Sequence, residues 1–159
     1  MSRLYARAPR GERALATQPV NRGRHLPMLG ALRLQGLVAA MTIEGFTDGE
    51  GFLAFLREVL VPQLRPGQVL IMDHLTAHKV AGVADICASA GVRLLYLPPY
   101  SPDLSPIEEC WSKVKTLVRA QAARTLEALE QAIAEALAAV TSQDAHGWFA
   151  HAGYCIASN

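Results

Sequence analysis

Three cysteines in 159 residues, with no Cys-x-x-Cys pair among them, leave no thiolate cluster for a structural metal and no even-numbered disulfide framework. Cys87, Cys110 and Cys155 read as reduced thiols of a cytosolic protein. Long apolar runs are also missing. The stretches 69–72 and 92–97, the second interrupted by Arg93, are strand-sized and far too short to span a bilayer. No apolar segment follows the basic start Met-Ser-Arg-Leu-Tyr-Ala-Arg, which argues against a secretory leader. The chain has no glycine-rich phosphate loop of the Walker or dinucleotide type and no His-Glu-x-x-His. Ser101 and Ser105 have acids nearby but no histidine placed to activate them, which excludes a Ser-His-Asp nucleophile.

What is present fits one globular domain. A hydrophobic content of 51% and a charged content of 18% suffice for a single packed core and lie far from a disordered composition. The net charge of +1 is unevenly spread. Residues 1–25 carry six arginines against Glu12 alone, and the remaining sequence is mildly acidic. A basic arm on an acidic body suits a polyanion partner such as DNA, although a solvated terminus has the same composition. The expected organisation is an arm, 1–25, followed by one domain, 26–159.

Apolar residues on both sides of Gly36 predict two strands joined by a turn within 29–43. Phe52, Phe55, Leu56, Val59 and Leu60 follow Asp48 at helical spacing, up to Pro62. Val69–Met72 reads as a strand of the fully buried type ending at Asp73. Residues 77–90 read as one helix closed by Gly91, and 92–97 as a strand stopped by Pro98 and Pro99. Ser105 and Pro106 open a helix whose apolar stripe runs through Ile107, Cys110, Trp111, Val114 and Leu117. A further helix is expected over about 126–140. Hairpin strands followed by alternating strands and helices define a mixed α/β fold.

Two carboxylate positions carry the chemistry. Asp73 stands where a strand passes into a loop, the usual location of functional groups in α/β sheets. Glu108 and Glu109 occupy a helix's first turn, where acids also simply favour the dipole. The 34 residues between Asp73 and Glu108 hold a helix, a strand and a loop, enough to bring the chain back to the same sheet end. Two converging carboxylates form half of a magnesium site, since Mg²⁺ takes hard oxygen ligands and keeps several waters. The helical wheel does not separate Glu108 from Glu109. His74 and His78 are spaced as helical zinc ligands can be, but no third ligand accompanies them.

The stretches LIMDHLTAHK and LLYLPPYSPDLSPIEECWSKVK resemble the catalytic core of Tc/mariner-superfamily transposases, especially the bacterial insertion-sequence branch. The closing GWFAHAGY also resembles that family's C-terminal segment. The resemblance implies an RNase H-like mixed sheet flanked by helices and Mg²⁺-dependent cleavage and joining of DNA at transposon ends, with Mn²⁺ as a substitute. Asp73 takes the place of the second catalytic acid and Glu108 that of the third, both as metal ligands. His74 and His78 become supports near the site. Apart from the resemblance, Arg7, Arg10 and Arg13 are candidate phosphate contacts, and Lys115, on the flank shared with Glu108, reads equally as a DNA-backbone contact or a solvated face. His74 and Ser105 stand where the family usually has Asn.

A larger departure concerns the family's first Asp. It lies on the first, central strand, just before the segment that resembles RLYARAPRGERA, with which this sequence begins. The fold is therefore expected to be truncated at its N-terminus, with no local acid (Glu12, Glu44 or Asp48) able to substitute. The activity is then expected to be incomplete in this chain alone, and the alternative is an inert remnant or frameshift partner that only binds DNA or another subunit. Expected partners are transposon-end DNA and a second transposase subunit or a complementing upstream fragment, in a bacterial cytoplasm, associated with the nucleoid and without a membrane. A gap is expected between the hairpin and Val69–Met72, filled by a sliding hairpin, by arm residues 4–8 or by another chain, with the arm preferred.

Overall fold

The structure is a computed structural model that describes residues 9–13, 26–43, 45 and 48–156. Two strands come first: β1, Met28–Arg33, and β2, Gly36–Thr42. They pair antiparallel from Met28 opposite Thr42 to Arg33 opposite Gly36, with a shift in register between Ala31 and Leu32. Gly36 takes φ 113°, a left-handed value that glycine supplies without strain where the chain turns back. Both faces of this hairpin are covered. Leu29, Ala31, Ala39 and Met41 pack into one core, and Met28, Leu32 and Leu37 into another.

The first core is built by α1, Gly49–Ala54, whose N-terminus Asp48 caps by accepting the Gly51 N–H at 2.8 Å. The helix widens into a π-helical stretch, Phe55–Leu60, and tightens into a 3₁₀ turn, Val61–Gln63, containing Pro62. Phe52, Phe55, Leu56 and Leu60 are all buried on the same side. The stretch 77–90 is not one helix, as its pattern suggests. A 3₁₀ turn, Thr76–Lys79, is separated from α2, Val83–Ser89, by Gly82 at φ 99°. A left-handed residue breaks the helical ladder, so His78 and Lys79 belong to the loop side of the sheet.

Strands β3, Val69–Met72, and β4, Arg93–Tyr96, form a second sheet, pairing in parallel from Val69 opposite Arg93 to Met72 opposite Tyr96. Among the described residues β1 bonds only to β2 and β3 only to β4. The hairpin therefore does not slide across to β3, and the arm segment 4–8 lies outside the described residues. The all-apolar run of β3 does not produce two buried faces either. Met72 is buried, but Val69 and Ile71 are 41% and 39% exposed on the opposite face, beside Leu95 of β4.

The second core lies on the hairpin's other face. Helix α3, Pro106–Gln121, buries Cys110, Val114 and Val118 against Ala132, Ile133 and Ala136 of α4, Leu126–Ala138. Ser105 occupies the N-cap position of α3, but its side chain makes no capping bond; the Glu108 N–H bonds to the Ser105 carbonyl at 3.0 Å instead. Helix α5, Ser142–His151, completes the layer and begins with a capping box between Thr141 and Asp144. Lys113 of α3 ties the two together, donating to Asp144 Oδ2 at 2.5 Å and to the Ala139 carbonyl at 3.0 Å. None of the described helices is long and apolar enough to cross a membrane.

Candidate active site

Asp73 follows directly on Met72, the buried end of β3, and so emerges at the sheet edge with its backbone fixed by the ladder. Its Oδ1 accepts the Leu75 N–H at 3.0 Å, which holds the carboxylate back over its own turn. His78 Nδ1 approaches the same oxygen to 2.7 Å. That contact is bent rather than aligned, and the nitrogen is buried with no well-directed partner. The imidazole is clamped from behind by Phe52, ring centroids 4.5 Å apart and tilted 43°. Its backbone is clamped too, since Tyr96 Oη donates to the His78 carbonyl at 2.7 Å. Burial, then the neighbouring Cys87, raises the Tyr96 pKa, so its hydroxyl stays protonated as a donor.

Glu108 lies in the first turn of α3. Asp73, His78 and Glu108 all line one cavity of about 500 Å³. Glu109, adjacent in sequence, does not line it; its carboxylate stands 4.0 Å from His151 Nε2, beside a second hollow that Glu108 also borders. Among the described residues neither Asp73 Oδ2 nor the Glu108 carboxylate has a protein donor, which leaves hard oxygens available to a cation. Among the described residues no group of three or more His, Cys, Asp and Glu side chains is placed to hold a metal ion, and Asp73, His78 and Glu108 do not make one. Asp48 is occupied in capping α1, Glu12 is exposed in a turn, and Glu44 lies outside the described residues.

The other expected site residues are scattered. His74 is exposed and faces the Tyr96 ring at 5.4 Å, outside the cavity lining. Arg10 and Arg13 are exposed within 9–13, and Lys115 is exposed on α3. Arg7 lies outside the described residues. Phe52 and Tyr96 were not legible as supports of His78, because the contacts join segments 18 or more residues apart. Trp111, which belongs to the apolar stripe of α3, also lines the cavity, lying against Gly30 of β1. Tyr100 is fully exposed at φ 57° in the Pro-rich loop before α3.

Residues 1–130 match the family model described as DDE superfamily endonuclease, and the chain belongs to that family. Its fold is that of the Mos1 mariner transposase catalytic region, an RNase H-like mixed α/β architecture. The Mos1 paired-end complex with left transposon end superposes with a TM-score of 0.74 at 17% identity, covering 95% of this chain and 48% of that one. A pre-cleavage Mos1 transpososome gives 0.71 at 15% identity, covering 98% and 53%. The Mos1 catalytic domain with raltegravir and Mg gives 0.59 at 18%, covering 85% and 79%. This chain thus spans about half the length of the Mos1 chains in the DNA complexes. A comparison with curated proteins gives no match.

Proposed function

We propose that this chain is part of a transposase catalytic domain that cuts and joins DNA strands at transposon ends with a divalent cation, Mg²⁺ or Mn²⁺. The observation that supports the reading is that Asp73, His78 and Glu108 all line one cavity. It is supported by membership of the endonuclease family and by the described content of the Mos1 structures, which include transposon-end complexes and forms with Mg or Mn.

Asp73 and Glu108 would hold the cation, which supplies Lewis-acid activation of a water or 3′-hydroxyl and charge stabilisation at the phosphodiester. His78 limits the rotation of Asp73, while Phe52 and Tyr96 limit His78. His74 stands at the loop's outer side. Arg7, Arg10, Arg13 and Lys115 are proposed to meet DNA phosphates, a sequence-independent contribution that positions the duplex. The proposed setting is the bacterial cytoplasm, on nucleoid DNA, with a second transposase subunit or a complementing fragment as partner.

Asp73 and Glu108 would hold one cation, whereas the family resemblance implies a third acid for a two-cation site. The chain alone is therefore proposed to bind a cation and DNA without turning over. The lack of a third acid beside Asp73 and Glu108 among the described residues also favours a second reading, an inert protein that only binds DNA or another subunit. One pair of measurements separates them. Mn²⁺ binding followed by electron paramagnetic resonance should be weak in the wild type and lost in both Asp73→Asn and Glu108→Gln, while Glu109→Gln keeps it. Equal binding by all variants would remove the site assignment and leave the inert reading.

A further inference from the structure

Tyr100 combines full exposure with a backbone at φ 57°. In that left-handed region the Cβ of a large residue crowds the following carbonyl, and such strain persists only where the surroundings impose it. Here the neighbours in sequence impose it. Pro98 and Pro99 enter the loop with φ fixed by their rings, and Ser101, before Pro102, is kept out of the helical region at φ -118° and ψ 62°. Both ends of the loop are tied down. The Leu97 N–H bonds to the Met72 carbonyl at 2.9 Å, the Ser105 N–H to the Pro102 carbonyl at 3.0 Å, and Tyr154 Oη donates to the Leu104 carbonyl at 2.9 Å. The strain brings the Tyr100 ring no packing among the described residues; it holds the ring out in solvent with both faces free.

The loop borders the candidate active site. Leu97 before it and Leu104 after it both line the cavity that Asp73 and Glu108 share, so Tyr100, three residues beyond Leu97, lies within about 11 Å of that wall. A second aromatic pair stands at the same end of the sheet: exposed His74, next to Asp73, faces the half-buried Tyr96 ring at 5.4 Å. We propose that Tyr100 stacks on an unpaired nucleobase beside the phosphodiester presented to Asp73 and Glu108, so that the preferred substrate is DNA with an unstacked base at that point. The inference rests on the functional reading above and deepens it. A free aromatic face suits any base, because every base has a π-face. A paired base inside a duplex has both faces covered by its neighbours, so a ring at a loop apex reaches only a base that is unpaired or turned out of the stack. A protein partner would call for a contiguous apolar patch, whereas the loop beyond Tyr100 offers Ser101, Pro102 and the exposed Asp103.

The probe is a single DNA strand of roughly a dozen nucleotides with 2-aminopurine at its centre, and the control is a blunt duplex of the same sequence. EDTA is present throughout, so the outcome does not depend on cation binding by Asp73 and Glu108. Binding is followed by anisotropy and stacking by quenching of 2-aminopurine. The full chain should bind and quench the single strand, and Tyr100→Phe should do the same. Tyr100→Ala should bind it about 5-fold to 150-fold more weakly, the loss of one base–aromatic stack. Duplex binding, which rests on phosphate contacts, should be equal in all three proteins. Tyr100→Gly should lose the single strand as Tyr100→Ala does, yet raise the urea midpoint, because glycine takes φ 57° without strain. Single-strand binding unchanged in the alanine and glycine variants would overturn the proposal, as would a lowered urea midpoint in Tyr100→Gly, which would make the ring structural. A wild type that binds duplex but leaves the single strand unquenched would overturn it while the functional reading stands. Binding of neither DNA would remove both. Self-association abolished by Tyr100→Ala, with no quenching, would assign the ring to a protein contact instead.

Discussion

His78 Nδ1 stands 2.7 Å from Asp73 Oδ1, five residues along a chain that breaks its helical course between them and α2. The pairing exists because Leu75–His78 closes a backbone turn at 3.0 Å, bringing the ring over the strand end, and because Phe52 prevents it from swinging away. A residue that restrains a metal ligand without binding the metal typically changes affinity by about 10-fold to 100-fold when removed. His78→Ala is expected at the low end, about 10-fold weaker Mn²⁺ binding, because the Leu75 amide still holds Asp73. Tyr96→Phe, which frees only the His78 carbonyl, should have a smaller effect. Paramagnetic titration of the two variants checks the order.

The strand ending at Asp73 and the helix opening at Pro106 follow from local pattern, and both Asp73 and Glu108 line one cavity. The helical wheel does not separate Glu108 from Glu109, because both border the apolar stripe; of the two, Glu108 alone lines the cavity that holds Asp73. The uniform burial expected of β3 failed because a run such as Val-Leu-Ile-Met records what could be buried on two faces, not whether both faces are covered. Gly82 was not recognised as a break, since a single glycine within a helical pattern gives no sign of its φ. Helix α5 went unpredicted although Thr141 and Asp144 spell a capping box at the required spacing.

Asp144 should make stability depend on acid. Its carboxyl is lowered to about 2 from an ordinary 3.8, first by the hydrogen bond from Lys113 and then by the backbone and hydroxyl of Thr141. In the unfolded chain the same group takes up a proton at higher pH. The contribution of Asp144 to stability is therefore present above about pH 4 and is lost as pH falls toward 2. Urea midpoints measured between pH 5 and 2 should fall in the wild type, and fall less steeply in Lys113→Met, whose Asp144 has lost the Lys113 ammonium. Parallel slopes in the two proteins would show that other carboxylates dominate.

Leu56 is fully buried in the π-helical stretch between α1 and the 3₁₀ turn, within the core that supports β3. Leu56→Ala should cost about 2–5 kcal/mol, the range for a leucine deletion that leaves a cavity. Chemical denaturation gives the value directly. A cost under about 1 kcal/mol would mean that the wider helix collapses onto the gap rather than holding it open.

Gly30 and Trp111 supply a local test of the cavity wall. A Cβ at Gly30 would fall 2.8 Å from Trp111 Cη2 and 3.1 Å from Cζ2, with the Ala39 carbonyl oxygen 3.2 Å away. The glycine is required here by close approach, not by backbone angle. Gly30→Ala must therefore push the indole, and the open direction is into the cavity that the ring already lines. Overpacking of this kind costs about 1–3 kcal/mol, and the free space argues for the lower end. Trp111 should also report the shift through altered fluorescence, with Trp148 as a constant background. Trp111→Phe removes the overlapping ring atoms, so Gly30→Ala in that background should cost less than in the wild type. The difference is a coupling between neighbours of the kind double-mutant cycles resolve, about 0.5–3 kcal/mol for residues in contact. If the two substitutions prove additive, the indole does not rest against β1, and the wall assigned to α3 must be redrawn.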